Sequence, residues 1–427
     1  WEGVSKEQME DPEFGRKYNP AGEYYDEAGN RLYYDNETDN YYSDIVQLTL
    51  SRELSRYLSL NAGLSYNYGY GYYENYREDN DFTDFGLENP TIDGIIYNSS
   101  DFIRRKLMEN DFYVANIGLN YSKNRLNLTF GGMYSYFNGN HFGRLPWIKH
   151  WVGDESEIEW YRNTGRKSEV NFFTKADYQL NDKFSLYGDL QYRRVNFDIS
   201  GTDDDMEVMN GDFIYNFFNP KAGININLSD KSRLYASVAV GQREPLRADL
   251  KDGIKGGAVN PIKPEKMIDY ELGYRYNGTN GLYLGANFYF MDYDNQMVQT
   301  GKLSDSGYKL MENVKDSYRV GLELETAVPL WNNKIRLDAN ATFSRNKIKN
   351  YVAWFDLYDA NWSLEGQESK DYGTTNISFS PNVVSAVGMT WQPVSAFYLN
   401  LMGKYVSKQY MDNTSDDAKS IDPYFVI

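Results

Sequence analysis

The chain has 427 residues, no cysteine, two histidines and a formal net charge of −17. The lack of cysteine excludes a disulfide scaffold, a thiolate zinc site and a cysteine nucleophile, and His141 and His150 alone make no multi-histidine metal centre. The acidic balance argues against a phosphate-backbone binder, so no nucleic-acid partner is expected.

No apolar run approaches the roughly 18 residues of a membrane helix. A mean hydropathy of −0.68 reads as soluble, yet strands that are apolar only at every second position give the same value. Tyrosine is the compositional excess, at 40 residues. The chain starts at Trp1 and stops at Ile427 as an apolar run begins, which reads as an internal piece of a longer protein.

The dominant pattern has period two. Val46, Leu48 and Leu50 alternate with Gln47, Thr49 and Ser51. After a tight connection at Leu54-Ser55-Arg56, Leu58, Leu60, Ala62, Leu64, Tyr66, Tyr68, Tyr70 and Tyr72 alternate with small or polar residues. A helix needs a period of 3.6, so both segments are predicted strands. A second hairpin carries Tyr113, Ala115, Ile117, Leu119 and Tyr121, a turn at Lys123-Asn124-Arg125, then Leu126, Leu128, Phe130, Gly132, Tyr134 and Tyr136. The third runs from Val170 to Leu180, turns at Asn181-Asp182-Lys183 and returns from Phe184 to Tyr192. The fourth joins Ile224–Leu228 to Leu234–Val240, and the fifth joins Ile268–Tyr276 to Leu282–Phe290. The sixth joins Val320–Val328 to Ile335–Phe343 through Trp331-Asn332-Asn333. The seventh joins Val383–Trp391 to Phe397–Tyr405, and a last strand begins at Tyr424.

The prediction is therefore about fifteen strands. Short turns alternate with long polar connections over 73–110, 138–167, 198–212, 242–263, 297–316, 347–380 and 411–421. Short turns on one rim and long loops on the other are the asymmetry of an outer-membrane barrel. The faces opposite the apolar ones carry Lys175, Asp177, Asp189, Arg193, Asp269, Glu271, Arg275, Glu323, Glu325, Arg336 and Asp338. A wet lumen explains that charged face, and tyrosines at strand ends suit a headgroup girdle. The fold class expected is all-β, a large antiparallel transmembrane β-barrel. A propeller or a stacked sandwich would show shorter strands and no alternation of loop length.

Four segments carry a family resemblance. Gly241-Gln242-Arg243-Glu244-Pro245-Leu246-Arg247 looks like an arginine–x–proline segment leaving a strand. Lys263-Pro264-Glu265 followed by Tyr270-Glu271-Leu272-Gly273 is similar to a "KPE…YELG" strand entry, and Gly321-Leu322-Glu323-Leu324-Glu325 to a "GLELE" strand. Gly403 to Asn413 is similar to a late barrel strand of Bacteroidetes members. In this order and spacing they resemble the β-barrel of TonB-dependent outer-membrane receptors.

The resemblance implies one domain over 1–427. It would be about fifteen strands of an expected 22-stranded barrel truncated at both ends, with the plug domain outside this sequence. It implies residence in the bacterial outer membrane and active import of a scarce ligand such as an iron-siderophore, cobalamin, heme or glycan. It also implies coupling to the TonB–ExbB–ExbD complex through the N-terminal part, and contact with the bilayer and lipopolysaccharide. A passive porin or a surface interaction barrel is the alternative.

No catalytic residue, cofactor or resident metal is expected. The sequence has no GxSxG, HExxH or phosphate-cradling glycine loop. Loop aromatics are the ligand-binding candidates, because flat rings stack on sugars, siderophore aromatics or heme. They are Trp147, Trp151, Trp160, Tyr161, Trp354, Tyr358 and Trp362, with Arg243 beside them; packing of the loops is the plainer role for each ring. Arg243, Glu244 and Arg247 are expected to pair as ions or reach the plug. Three acidic clusters (Glu78 to Asp84, Asp203-Asp204-Asp205 and Asp416-Asp417) read as solvated loop faces, with calcium binding as the sharper alternative.

Overall fold

The structure is a computed structural model that describes residues 6–12, 22–26, 28–36, 38–153, 158–255, 262–303, 309–359 and 364–427. One antiparallel sheet of sixteen strands dominates it. The strands are β1 Asp39–Ser55, β2 Leu58–Asp81, β3 Ser99–Lys123, β4 Leu126–Ile148, β5 Ile158–Gln179, β6 Phe184–Thr202, β7 Val208–Ser229 and β8 Ser232–Arg243. They continue as β9 Glu265–Asn277, β10 Tyr283–Leu303, β11 Lys309–Leu330, β12 Ile335–Tyr358, β13 Leu364–Asn376, β14 Val383–Val394, β15 Phe397–Val406 and β16 Tyr424–Val426. A helix, α1, spans Arg247–Lys255 between β8 and β9.

Each strand pairs with its sequence neighbours, with one exception. The lower part of β12 pairs with β14, from Ile335↔Trp391 to Phe343↔Val383. Its upper part pairs with β13, from Lys347↔Asn376 upward. All fifteen predicted strands are present in register, and β13 is an addition within the expected 347–380 connection.

The apolar face is open. Leu48 is 67% exposed, Phe172 60%, and Leu272 and Val387 55% each, and among the described residues no second sheet covers them. A sandwich would bury these side chains; here they form the wall that meets hydrocarbon, as in a membrane barrel. Near the long-loop end this face turns aromatic. Tyr66 stacks on Tyr113 at 4.8 Å, and Phe290 lies 6.3 Å from both Tyr270 and Tyr318. The other face is polar. Arg193 bridges Glu169 at 2.8 Å and Glu244 at 3.3 Å. Tyr235 donates to Asn287 at 3.0 Å, and Asn287 to Glu323 at 3.3 Å.

Several expected long connections are strand instead. β2, β3, β4 and β5 have 24, 25, 23 and 22 residues, well beyond the roughly 9–11 that cross a bilayer. Their hydrogen-bond ladder continues above the membrane, where it needs no apolar alternation. The short rim behaves as its sequence predicts: Trp331, Asn332 and Asn333 turn the chain with φ of 50°, 52° and 65°, a left-handed conformation asparagine tolerates well.

Candidate functional site

The long-loop end of the polar face is where side chains from distant strands converge. A bulge starts it. Arg144 on β4 pairs with Glu159 on β5, but the next pair is Gly143↔Tyr161, so Trp160 is the extra residue. The bulge re-aims Trp160 to the same interior side as Tyr161. Trp160 and Tyr161 are only 6% and 7% exposed, and they meet edge to face at 4.9 Å. They lie directly on Gly143, where an added Cβ would sit 2.3 Å from each ring. With Phe82, Phe85, Phe102, Leu145 and Ile148 they form a core under the 82–98 connection.

Beside this core lies a charged cluster. The 203–207 turn reaches in from between β6 and β7, and Asp204 takes an ion pair from Lys106 of β3 while its carbonyl accepts the Trp160 indole N–H at 3.3 Å. Asp203, 4% exposed, accepts from Asn163 at 3.3 Å and pairs with Lys251 of α1 at 2.9 Å. Arg104 of β3 donates to Asn75 of β2 at 2.8 Å. His141 lies in the field of Arg247, Asp203 and Lys251. The oxygens of Asp203, Asp204 and Asp205 approach within 4.8 Å of one another. Lys106 and Lys251 pair with Asp204 and Asp203, so two of these three carboxylates face ion partners inside the mouth rather than open solvent.

The helix α1 closes one side of the mouth. Its Leu250 packs on Phe197, Ile199 and Met209 of β6 and β7, with Phe213 and Ile254 against them. Arg247 crosses to Asn163, and its side chain lies over Gly165. The Asp249 carboxylate accepts the Leu246 backbone N–H at 2.9 Å, and burial raises its pKa. Glu244, 7% exposed, is held by Lys167 at 2.8 Å and by Arg193.

The predicted ligand residues are scattered by these contacts. Trp160 and Tyr161 are brought together in the interior core. Trp151 stacks on Phe82 at 6.1 Å, so it supports the same loop. Trp147 stacks on Tyr76 at 6.2 Å, next to Tyr24 of a small hairpin (Glu23–Tyr25 with Arg31–Tyr33). Trp354 is 62% exposed, on the face of β12 opposite the buried Tyr351 and Ala353. Tyr358 ends β12, and Trp362 lies outside the described residues. Arg243 pairs across strands with Glu265 at 3.1 Å, while Glu244 and Arg247 find other partners. His150 stacks on Tyr97 at 4.3 Å.

Sequence reasoning missed Lys106, Asn163 and Lys251. Lys106 and Asn163 sit where alternation has faded, and no local pattern links partners 40 (Asn163 and Asp203) to 98 (Lys106 and Asp204) positions apart.

The family model described as "TonB dependent receptor-like, beta-barrel" matches residues 8–427. The chain belongs to the TonB-dependent receptor family. A search of curated proteins finds no match. Solved structures share the fold. The ferric-catecholate import receptor Fiu from E. coli K12 superposes with a TM-score of 0.62 at 14% identity, covering 92% of this chain and 57% of that one. The siderophore receptor PiuA from Acinetobacter baumannii gives 0.63 at 14%, covering 90% and 57%. The copper transporter OprC gives 0.64 at 16%, covering 90% and 55%. The chain thus spans a little over half the length of these receptors. As a TonB-dependent receptor barrel it resides in the outer membrane, its leucine-rich face in lipid and its charged face on the lumen.

Proposed function

We propose that this barrel is the wall and binding vestibule of an active outer-membrane importer. The complete receptor would pair it with a plug in the lumen and draw energy from the TonB–ExbB–ExbD complex. The wall performs no covalent step; it positions a ligand and excludes other solutes.

The supporting observation is the charge of the mouth. In a chain with net charge −17, Arg77, Arg104, Lys106, Arg247 and Lys251 gather on the inner wall around Asp203 and Asp204. Low-dielectric walls focus such a field on an incoming anion. Among the expected ligands, an anionic iron-siderophore fits this field better than neutral glycans. Trp354, exposed at the top of β12, is the aromatic we assign to first contact.

Growth of a receptor-deleted host decides the matter. Complementation with the full-length gene should restore growth on a ferric catecholate or hydroxamate as sole iron source, and Arg104→Gln with Lys106→Gln should weaken it at least about tenfold in half-maximal concentration. Restoration only by cobalamin, heme or a glycan would reject the siderophore assignment. Uptake that persists without TonB would favour a passive porin.

A further inference from the structure

The outer wall has a notch at the place where β12 changes neighbours. Phe343 is the last residue paired with β14, and Lys347 the first paired with β13. Between them the 377–382 segment leaves the wall. Ile377, 2% exposed, packs with Val314, Ile348 and Tyr351, and the Ser378 N–H donates to the fully buried Asn413 at 2.9 Å. Ile377 N–H to Asn346 (3.2 Å), Ser344 N–H to Asn382 (2.7 Å) and the Ser344 hydroxyl to the Pro381 carbonyl (3.3 Å) stitch its two ends to β12. Arg345 therefore has Val320 of β11 as strand neighbour on one side and no strand pairing on the other.

The result is a depression of about 500 Å³ lined by Val320, Phe343, Arg345, Lys347, Asn382 and Val383. Alternation places Val320 and Phe343 on the same outward face as Leu322, Leu324 and Val387, the face left open to lipid. Arg345 is ten positions above Ile335, the first residue of β12 after the short turn. About 9–11 tilted residues cross the hydrocarbon, so Arg345 and Lys347 stand at headgroup height on the long-loop side. Two positions apart on a strand, they share one face. Lys347 is steadied by Asn376 at 2.7 Å, and among the described residues neither cation has a carboxylate partner.

We propose that this notch seats an anionic, phosphorylated lipid of the outer leaflet. Its phosphate lies between Arg345 and Lys347, and an acyl chain runs down over Phe343, Val320 and Val383. Two adjacent cations without a counter-charge are costly beside hydrocarbon, and a lipid phosphate supplies that charge. The gap in strand pairing supplies the shape, because no side chain from a neighbouring strand fills it.

Native mass spectrometry of the full-length receptor in mild detergent tests this. The probes are diphosphoryl lipid A, the same lipid dephosphorylated, and inorganic phosphate. The wild type should hold diphosphoryl lipid A at least about tenfold more tightly than the dephosphorylated form. Arg345→Gln combined with Lys347→Gln should abolish that difference, and Val383→Trp should weaken binding of both lipids by filling the groove. Arg336→Gln, on the lumen face, should change neither. Heat-modifiable migration on gels confirms that each variant is folded. Equal preference in the double variant, equal binding of the two lipids by the wild type, displacement of the lipid by millimolar phosphate, or a dimer that covers the notch would each overturn the proposal.

Discussion

At the scale of single residues, glycine positions divide into those that hold space for a ring and those that do not. Gly143 is of the first kind, with Trp160 and Tyr161 resting on its backbone. Gly188 is of the second, with nothing within 4 Å of an added Cβ. Gly143→Val should cost about 1–3 kcal/mol by overpacking and loosen the 82–98 connection, whereas Gly188→Ala should be near neutral. Thermal unfolding followed by gel migration checks both, and equal midpoints would contradict the packing described. The aromatic residues show how far single-residue reading reaches. Trp160, Tyr161 and Trp151 are identified by type as binding candidates, yet a bulge and a stack turn them into loop supports. Only Trp354 among the described tryptophan candidates is left more than half exposed.

At the scale of elements, two pieces outside the membrane lean on the wall. The helix α1 is held inside the mouth by Leu250 and by the Lys251–Asp203 pair. If the mouth admits ligand, α1 must yield or leave a path. The chain has no cysteine, so cysteines placed at Leu250 and Ile199 can be joined cleanly by a short bis-maleimide. Cross-linking should cut uptake by the full-length receptor severalfold without altering its fold; unchanged uptake would make α1 a fixed part of the rim.

The second piece is the connection after β15, where Asp412 accepts from Thr414 at 2.6 Å and from Lys419 at 2.9 Å. Burial opposes ionisation of Asp412, but these bonds outweigh it and lower its pKa below the ordinary carboxylate value. A depressed carboxylate pKa means stabilisation that is present above the unfolded-state pKa of about 3.9 and is lost as pH falls through the folded value. Hydrogen exchange of the 409–421 backbone should therefore stay slow at neutral pH and speed up below about pH 4. Asp412→Asn should remove most of that pH dependence, and a variant that keeps it would assign the effect elsewhere.

At the scale of the whole molecule, the two faces of one sheet meet different solvents. Phe172 points to hydrocarbon, and the neighbouring Gln191 points to the lumen beside Asn219. Phe172→Arg should cost about 2–4 kcal/mol for folding into phosphatidylcholine vesicles, by analogy with arginine near a bilayer midplane. Gln191→Arg should cost far less. Urea titrations in vesicles measure both, and equal penalties would mean the faces are assigned wrongly.

The lipid-crossing part of this architecture was written locally in the chain. A strand in a membrane has to show hydrocarbon one face and water the other, so Leu58 to Tyr72 and its counterparts alternate residue by residue, and counting them predicts fifteen strands. Above the bilayer that constraint ends. The strand β13, Leu364–Asn376, carries no apolar alternation, and the extended halves of β2 to β5 read as loops for the same reason. Only the tertiary structure could bring Lys106 to Asp204, Lys251 to Asp203 and Ile377 away from Arg345. These meetings depend on strand register, bulges and chain crossings that join distant positions, and no periodicity within either segment records them.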